Sequence, residues 1–354
     1  MLELSELIKL SQYAGERFDL IQAGGGNSSV KDSNGLMYIK SSGYQLSEVN
    51  ENQGYTLIDN SKILHYLAAD EVEQSNWTLI LDEATSIGQR ASIEVVLHSL
   101  LAKYTLHTHP LSVNIITATK NWQEQLLEIF EEQDVLLIPY KTPGLELGLL
   151  LKSELSLHFS KFNVNPKFIF LQNHGLVVSS DNLEELKALN DYVVSKVDDF
   201  LGMDFARYKL TNKISQMVNS IKEEDDSDYV SYLSEDNILN NFLKENFELL
   251  FTLPFCPDKM VYCSTYPVII DSFNDFDAFL TFKRKQNDVP KIVMYEDHIF
   301  FVGKSIKKCR EVEEVFKFHL LVIKNIPKDQ INHLSVSEYA LIANLEAEKY
   351  RQKI

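Results

Sequence analysis

The sequence has few cysteines and no long apolar run. Its three cysteines, Cys256, Cys263 and Cys309, form no Cys-x-x-Cys pair, so we expect free thiols in a reducing compartment and no disulfide framework. No stretch reaches the roughly 18 apolar residues of a membrane-spanning helix, and the N-terminal segment carries charges where a signal peptide has an apolar core. These absences predict a cytoplasmic protein with no membrane partner.

Positive charge is scarce as well. The sequence holds 34 Lys and Arg against 51 Asp and Glu, a net charge of -17, which argues against non-specific binding to nucleic acid or to an anionic membrane. Neither GxGxxG nor GxxxxGK[ST] occurs, so neither a dinucleotide-binding fold nor a P-loop is expected. A local pocket can still bind an anionic ligand, since total charge does not determine what one pocket binds.

The length of 354 residues predicts about two domains. Helical apolar spacing predicts a first helix over residues 3–17. Residues 206–238 are polar and acidic, typical of a linker or helical connection, which gives a first domain over 1–205 and a C-terminal α/β unit over 239–354. Apolar runs predict strands at Trp77–Leu81 and Met260–Tyr262, and a final helix runs from Leu334 to Arg351.

The pattern His-x-His is the most informative chemical feature. On an extended segment His107 and His109 leave the same face, and imidazole is a common zinc ligand. A catalytic zinc site takes three protein ligands, and the best third candidate is His174, where Asn-His-Gly interrupts an apolar strand-like run. His-x-His also occurs on exposed strands, so the surrounding segments decide between the two interpretations.

A glycine run with polar neighbours stands near the N-terminus. Gly24, Gly25 and Gly26 precede Asn27, Ser28 and Ser29, a composition that allows positive φ and close backbone approach and that offers donors to an anion. Taken in isolation, a run of this kind is more typical of a flexible turn.

Four segments in order resemble the class II aldolase/adducin family of zinc-dependent sugar-phosphate aldolases. They are AGGGNSSVK (23–31), IKSSGYQLSE (39–48), SIEVVLHSLLAKYTLHTHP (92–110) and QNHGLVVSS (172–180). The resemblance implies a three-layer α/β/α domain with a largely antiparallel central sheet, followed by a smaller C-terminal α/β unit. The sequence is similar to the aldolase part of bifunctional rhamnulose-phosphate aldolase/dehydrogenases, although no dehydrogenase is present here.

The same resemblance implies roles for individual residues. His107, His109 and His174 bind Zn2+ or another divalent metal, and Glu94 is the catalytic acid/base. The substrate phosphate is bound by a set of polar residues: Asn27, Ser42 with Gly43, and Ser92. Ser41 replaces Ser42 if the turn is shifted by one residue. His98, four residues after Glu94 on the same helix face, is expected to pack or to support the ligands.

The resemblance favours aldol cleavage of a ketose 1-phosphate to dihydroxyacetone phosphate and an aldehyde. Within the family the alternatives are a sugar-phosphate dehydratase, which retains Glu, and a 4-epimerase, which typically has Asp where this chain has Glu94. A non-catalytic adducin-like scaffold is the alternative of another class. Relatives form active sites between subunits with a tyrosine from the neighbour, so we expect a homo-oligomer, possibly a tetramer.

Overall fold

The first part of the chain forms a large sheet covered by helices. The computed structural model describes residues 2–69, 74–223, 226–335 and 338, and contacts divide the chain into two units between Ala206 and Arg207. The strands of the first unit are β1 (Asn27–Lys31), β2 (Leu36–Lys40), β3 (Tyr55–Asp59), β4 (Thr85–Gly88), β5 (Tyr104–Thr108), β6 (Val135–Ile138), β7 (Phe168–Leu171) and β8 (Gly175–Ser180). Its helices are α1 (Leu2–Gly15), α2 (Asn60–Leu67), α3 (Trp77–Ala84), α4 (Val95–Ser99), α5 (Leu111–Thr117), α6 (Trp122–Ile129), α7 (Leu145–Phe162) and α8 (Leu183–Leu201).

The eight strands pair in the order β4-β3-β2-β1-β5-β8-β7-β6. Neighbouring strands run antiparallel throughout, except that β6 and β7 are parallel. The largely antiparallel central sheet expected from the resemblance is therefore confirmed. β1, β5 and β8 lie side by side in the middle of the sheet, with Asn27 opposite His107 and His107 opposite Val177.

Along each strand, successive side chains point to opposite faces of the sheet. Phe168 and Phe170 of β7 pack in a core with α1, α5, α6 and α8. Ile169 and Leu171 pack on the other face with α4 and α7, and a third cluster joins β2 and β3 to α2, α3 and α4. The expected three-layer architecture is confirmed by these two covered faces.

The segment predicted as a strand at Trp77–Leu81 is helical, and this prediction is wrong. Short apolar runs fit a strand or a helix equally well. Here Leu81 and Ala84, three residues apart, are the buried positions of α3, and Trp77 stacks on Tyr66 of α2 with ring centroids 5.9 Å apart. The helical spacing becomes visible only when the pattern is followed to Ala84.

The second unit contains a four-stranded sheet within its described residues. Its elements are α9 (Ala206–Ile221), β9 (Val230–Leu233), α10 (Asn237–Glu245), α11 (Pro257–Cys263), β10 (Val268–Ile270), α12 (Phe276–Gln286), β11 (Ile292–Tyr295), β12 (His298–Gly303) and α13 (Ile306–Lys324). The strand order is β10-β11-β12-β9, with β10 and β11 parallel and the other pairs antiparallel. The core of this unit packs α10, α11 and α13 on the sheet.

One sequence prediction is wrong in this unit, and another segment contributes more than was expected. Met260–Tyr262, predicted as a strand, lies inside α11, where Pro257 occupies the first turn, a position that suits its fixed φ. The segment 206–238, predicted as a linker or helical connection, holds the helix α9 and the strand β9. β9 pairs with β12, so this segment contributes directly to the small sheet.

The predicted first helix corresponds to α1, whereas the predicted final helix over Leu334–Arg351 lies almost entirely outside the described residues. Among the residues that the structure describes, no helix is long and apolar enough to cross a membrane.

Candidate metal centre

His107 lies on the central strand β5 and is fully buried. Its neighbour Leu106 packs in the core on the α1 side, so the imidazole of His107 points to the opposite face of the sheet. The Nδ1–H of His107 donates to the carbonyl oxygen of Leu176, 3.0 Å away. A carbonyl only accepts, so in the neutral ring Nε2 carries no proton and has a free lone pair. Burial, with a smaller contribution from nearby His174, lowers the pKa of His107 to about 3.

His109 follows the end of β5 and is held through its backbone. Its N–H donates to the carbonyl oxygen of Leu20, 2.9 Å away, and its Nε2 lies 3.0 Å from Nε2 of His107. Burial is the main cause that lowers the pKa of His109 to about 3, and His107 and His174 add to it. Both rings are therefore neutral at pH 7, the state that binds a metal.

His174 stands in the tight turn between β7 and β8. Asn173 has φ 55°, and the His174 N–H closes the turn on the carbonyl of Leu171, 3.1 Å away. A Cβ at Gly175 would lie 2.2 Å from the carbonyl oxygen of Thr108, so glycine is required for β8 to approach β5 here. As a result, Nε2 of His174 lies 3.3 Å from Nε2 of His107.

The three imidazoles form one group with the composition of a metal site. Their ligand atoms all lie within 4.8 Å of one another, so among the described residues these three side chains form a group that could hold one metal ion. The three histidines named from the sequence are thus as close together as a shared metal ion requires. Their role as ligands remains a prediction.

Glu94 completes the group. It precedes α4 as the N-cap residue and is 5% exposed. Oε1 of Glu94 lies 3.3 Å from Nε2 of His174 and Oε2 lies 3.6 Å from Nε2 of His107. Oε1 is buried and accepts no hydrogen bond among the described residues. A buried carboxylate oxygen beside three imidazole rings is a donor set that suits a divalent cation such as zinc, so the residues present fit the metal that the resemblance implies.

The glycine run supports His109 and β5. A Cβ at Gly25 would lie 2.7 Å from Nδ1 of His109, and one at Gly26, where φ is +63°, would lie 2.6 Å from the carbonyl oxygen of His107. Gly24 has no such neighbour, since its nearest atom is the Tyr44 carbonyl oxygen at 4.0 Å. Two of the three glycines therefore permit close packing against the histidine segment, a purpose that the sequence alone did not indicate.

The predicted phosphate-binding residues fall into two groups. Asn27 and Ser92 lie beside Glu94: the Asn27 amide donates to Oε2 of Glu94 at 2.7 Å and to Oγ of Ser92 at 3.1 Å. Ser42 and Gly43 are exposed in the turn after β2, joined to the same region by a hydrogen bond from Ser42 N–H to the Arg90 carbonyl.

The alternative residue Ser41 is engaged elsewhere. Its hydroxyl is buried and lies 2.7 Å from the hydroxyl of Thr56. Ser42, being exposed, is the turn serine whose hydroxyl is accessible to a ligand.

Sequence reasoning missed Lys40, the last residue of β2. Its side chain is 3% exposed, and Nζ lies 3.4 Å from the Ser41 carbonyl oxygen and 3.5 Å from that of Gly24. Burial lowers its pKa, while the negative charge of Glu94 acts in the opposite direction. A lysine immediately before Ser-Ser-Gly at a strand end was the available signal, because such a residue lies at the same sheet edge as the turn.

A model of the class II aldolase and adducin N-terminal domain matches residues 5–195. This chain belongs to that family. The match spans more than half of the sequence and includes every predicted site residue.

Several solved structures are similar to the first unit. The N-terminal class II aldolase domain of a conserved protein from Thermoplasma acidophilum is 25% identical, with a TM-score of 0.48, covering 56% of this chain and 93% of that one. A sugar-phosphate aldolase from Thermotoga maritima is 15% identical, with a TM-score of 0.42, covering 56% and 94%. L-fuculose-1-phosphate aldolase from Thermus thermophilus is 18% identical, with a TM-score of 0.36, covering 56% and 93%. No curated protein matches this chain significantly.

Proposed function

We propose that this member of the class II aldolase family is a metal-dependent enzyme that cleaves a ketose 1-phosphate to dihydroxyacetone phosphate and an aldehyde. The observation that carries the proposal is the convergence of three imidazoles on the carboxylate of Glu94 at the centre of the sheet. Asn27 and Ser92 lie next to this carboxylate. An anion-binding turn at Ser42 and Gly43 would place the substrate phosphate at the edge of the same site.

His107, His109 and His174 would hold the metal. When bound, a divalent ion supplies Lewis-acid polarisation of the carbonyl and neighbouring hydroxyl of the sugar. Glu94 exchanges a proton with the substrate carbon that is freed when the carbon–carbon bond breaks, a role that general acid/base catalysis assigns to a carboxylate within hydrogen-bond reach. The Asn27 amide orients this carboxylate, and Lys40 adds positive charge near the phosphate turn.

The presence of glutamate at position 94 also helps to distinguish between the alternative reactions. A 4-epimerase of this family typically has Asp at this position, so the glutamate favours an aldolase or a dehydratase. A scaffold without activity does not require three histidines, a buried carboxylate and an amide to converge, which supports an enzyme over the adducin-like alternative.

The substrate test follows three products separately. Zinc-loaded protein is incubated with a panel of ketose 1-phosphates and ketose 5-phosphates while triose phosphate release, epimer formation and loss of water are measured. We expect the release of triose phosphate from a ketose 1-phosphate. Epimer formation or water loss as the main product would replace it with one of the rival reactions, and no turnover with metal bound would favour a binding role.

The variant Glu94→Gln tests the residue assignment. Loss of a general acid/base slows a reaction by roughly 100-fold or more, and the amide substitution keeps the size of the side chain. Glu51→Gln, an exposed position, is the control and should react at the wild-type rate. If both variants turn over like the wild type, Glu94 does not have the proposed role.

We also propose a homo-oligomer, because relatives of this family complete the active site with a tyrosine of a neighbouring subunit. A tetramer is the assembly that the family resemblance favours. Light scattering at micromolar concentration tests this, and a strict monomer would oppose it.

A further inference from the structure

His98 lies behind the site, fully buried on α4. Its Nδ1 is 2.7 Å from Oγ of Ser29, and its Nε2 contacts Oδ1 of Asn27. The other end of the Asn27 side chain, the amide nitrogen, lies 2.7 Å from Oε2 of Glu94. A continuous series of hydrogen bonds therefore runs from Ser29 through His98 and Asn27 to Glu94.

The chemistry of these groups fixes the direction of every bond. An ionised carboxylate only accepts, so Asn27 must present its NH2 to Glu94, and the second amide hydrogen reaches Ser92. The amide oxygen Oδ1 then faces His98 and must receive a hydrogen. That requires the proton of the neutral ring on Nε2, which leaves Nδ1 to accept from the Ser29 hydroxyl.

The other tautomer of His98 is incompatible with two of these hydrogen bonds. With the proton on Nδ1, the bare Nε2 would repel Oδ1 of Asn27. An amide turned over to relieve that contact would place its oxygen 2.7 Å from Glu94, at the position that the nitrogen now occupies. Two oxygens at that distance without a shared hydrogen repel, so only one tautomer of His98 is compatible with the donor to Glu94.

We propose that His98 is a positioning residue, whose Nε2–H holds the Asn27 amide in the orientation that donates to Glu94. The inference rests on the proposed function, because it assigns importance to the orientation of the Glu94 carboxylate. It goes beyond the role predicted for Asn27, which in this structure contacts the carboxylate itself. Burial holds the pKa of His98 well below its ordinary value of 6.5, so the ring has a single proton whose location matters.

Two variants separate positioning from packing. His98→Gln places a donating amide near the position of Nε2, whereas His98→Met fills a similar volume with no donor. Loss of a partner that orients a site residue typically costs about 10–100-fold. We expect His98→Met to lower kcat by that factor with KM, zinc content and melting temperature close to those of His98→Gln, and His98→Gln to recover most of the rate.

The tautomer is measured independently of turnover. Long-range proton–nitrogen correlation on histidine-labelled, metal-free protein should show the proton of His98 on Nε2. The side-chain amide signals of Asn27 should be protected from exchange in the wild type and in His98→Gln, and lose that protection in His98→Met. The position of the His98 proton and the protection of the Asn27 amide test the inference without any turnover. Absence of turnover with every substrate in the panel would count only against the proposed function.

Three results would overturn the inference. They are a proton on Nδ1 of His98, equal amide protection in the Gln and Met variants, or equal kcat in the two variants where turnover is detected. Equal loss of kcat in both with lower melting temperatures would show that His98 only packs.

Discussion

The candidate metal centre of the first unit and the core of the second unit bury ionisable side chains in different ways. In the first unit His107, His109, His174 and Glu94 come from distant segments and meet at one point. In the second unit the buried Lys259 donates to the carbonyls of Ser264 and Thr265, 2.9 and 3.3 Å away, just beyond its own helix.

His319, another buried ionisable group of that unit, stacks on Phe255 with ring centroids 5.3 Å apart. Burial alone therefore does not indicate a site, since a buried cation can simply satisfy carbonyls at the end of its own helix. Convergence of groups far apart in sequence is the more informative observation.

Arg17→Met should have the largest effect on the first unit. Arg17 is 1% exposed and donates to both carboxylate oxygens of Asp19 at 3.1 and 2.5 Å. Removing one partner of a buried pair typically costs about 3–5 kcal/mol. Because Asp19 and Leu20 accept backbone hydrogen bonds from Leu111 and His109, metal binding should weaken as well.

Chemical denaturation of the metal-free protein measures the loss of stability. The control is Arg207→Met in the second unit, whose ion pair with Glu235 is about half exposed and is worth at most about 1 kcal/mol. Equal losses in the two variants would contradict the contrast between the buried and the exposed pair.

His109→Ala should remove most of the bound metal. Residues that only support a ligand change metal affinity by about 10–100-fold, so losing a ligand should weaken zinc binding by more than about 100-fold. Metal analysis after dialysis measures this. His65→Ala, at an exposed position of α2, should retain wild-type zinc, and equal content in the two variants would reject the metal centre.

Gly25→Ala should weaken the site without removing a ligand. The added Cβ would lie 2.7 Å from Nδ1 of His109, so the ring must shift, and we expect about tenfold weaker zinc binding. Gly24→Ala is the matched control, because its Cβ meets nothing nearer than 4.0 Å. Isothermal titration compares the two affinities, and a lower affinity in the Gly24 variant would contradict the role given to Gly25.

His319→Phe should have the smallest effect at neutral pH, because its consequence is confined to the acid stability of the second unit. Burial and the nearby charge of Lys259 lower the pKa of His319 from 6.5 to about 3. Between these two values the unfolded chain binds a proton that the folded chain does not, so stability falls as pH falls, by at most about 1.4 kcal/mol per pH unit. The phenylalanine variant lacks this proton uptake.

The measurement is the free energy of unfolding of metal-free protein at several pH values within that window. We expect a shallower pH dependence in His319→Phe than in the wild type, with zinc binding at neutral pH unchanged. His65→Phe is the matched substitution at an exposed position. Identical slopes for wild type and His319→Phe would show that the ring contributes nothing to acid sensitivity.

Local pattern and family resemblance together predicted much of the first unit. The spacing of His107 and His109 on one strand face and the turn at His174 led to three rings that do lie together. Trp77–Leu81 was misjudged because a five-residue apolar run has no period of its own.

The orientation of Asn27 and the burial of Lys40 were not predictable from local pattern, although the place of Lys40 before Ser-Ser-Gly indicated that it lies at the edge of the site. Both depend on which segment packs opposite, and no local spacing carries that information. In the C-terminal unit the short apolar run Met260–Tyr262 was likewise not recognised as helical, because the helix that contains it begins earlier, at Pro257.

The central place of β5 in the sheet also affects the order in which the protein acquires its site. His107 and His174 are 67 residues apart in sequence, and Asn27 reaches His107 only when β1 has paired with β5. Contacts of such separation form slowly, because the intervening loop must close first. During synthesis β5 emerges with His107 and His109 before the turn between β7 and β8 that carries His174, so binding of a metal by all three histidines would show that β5 and β8 have paired.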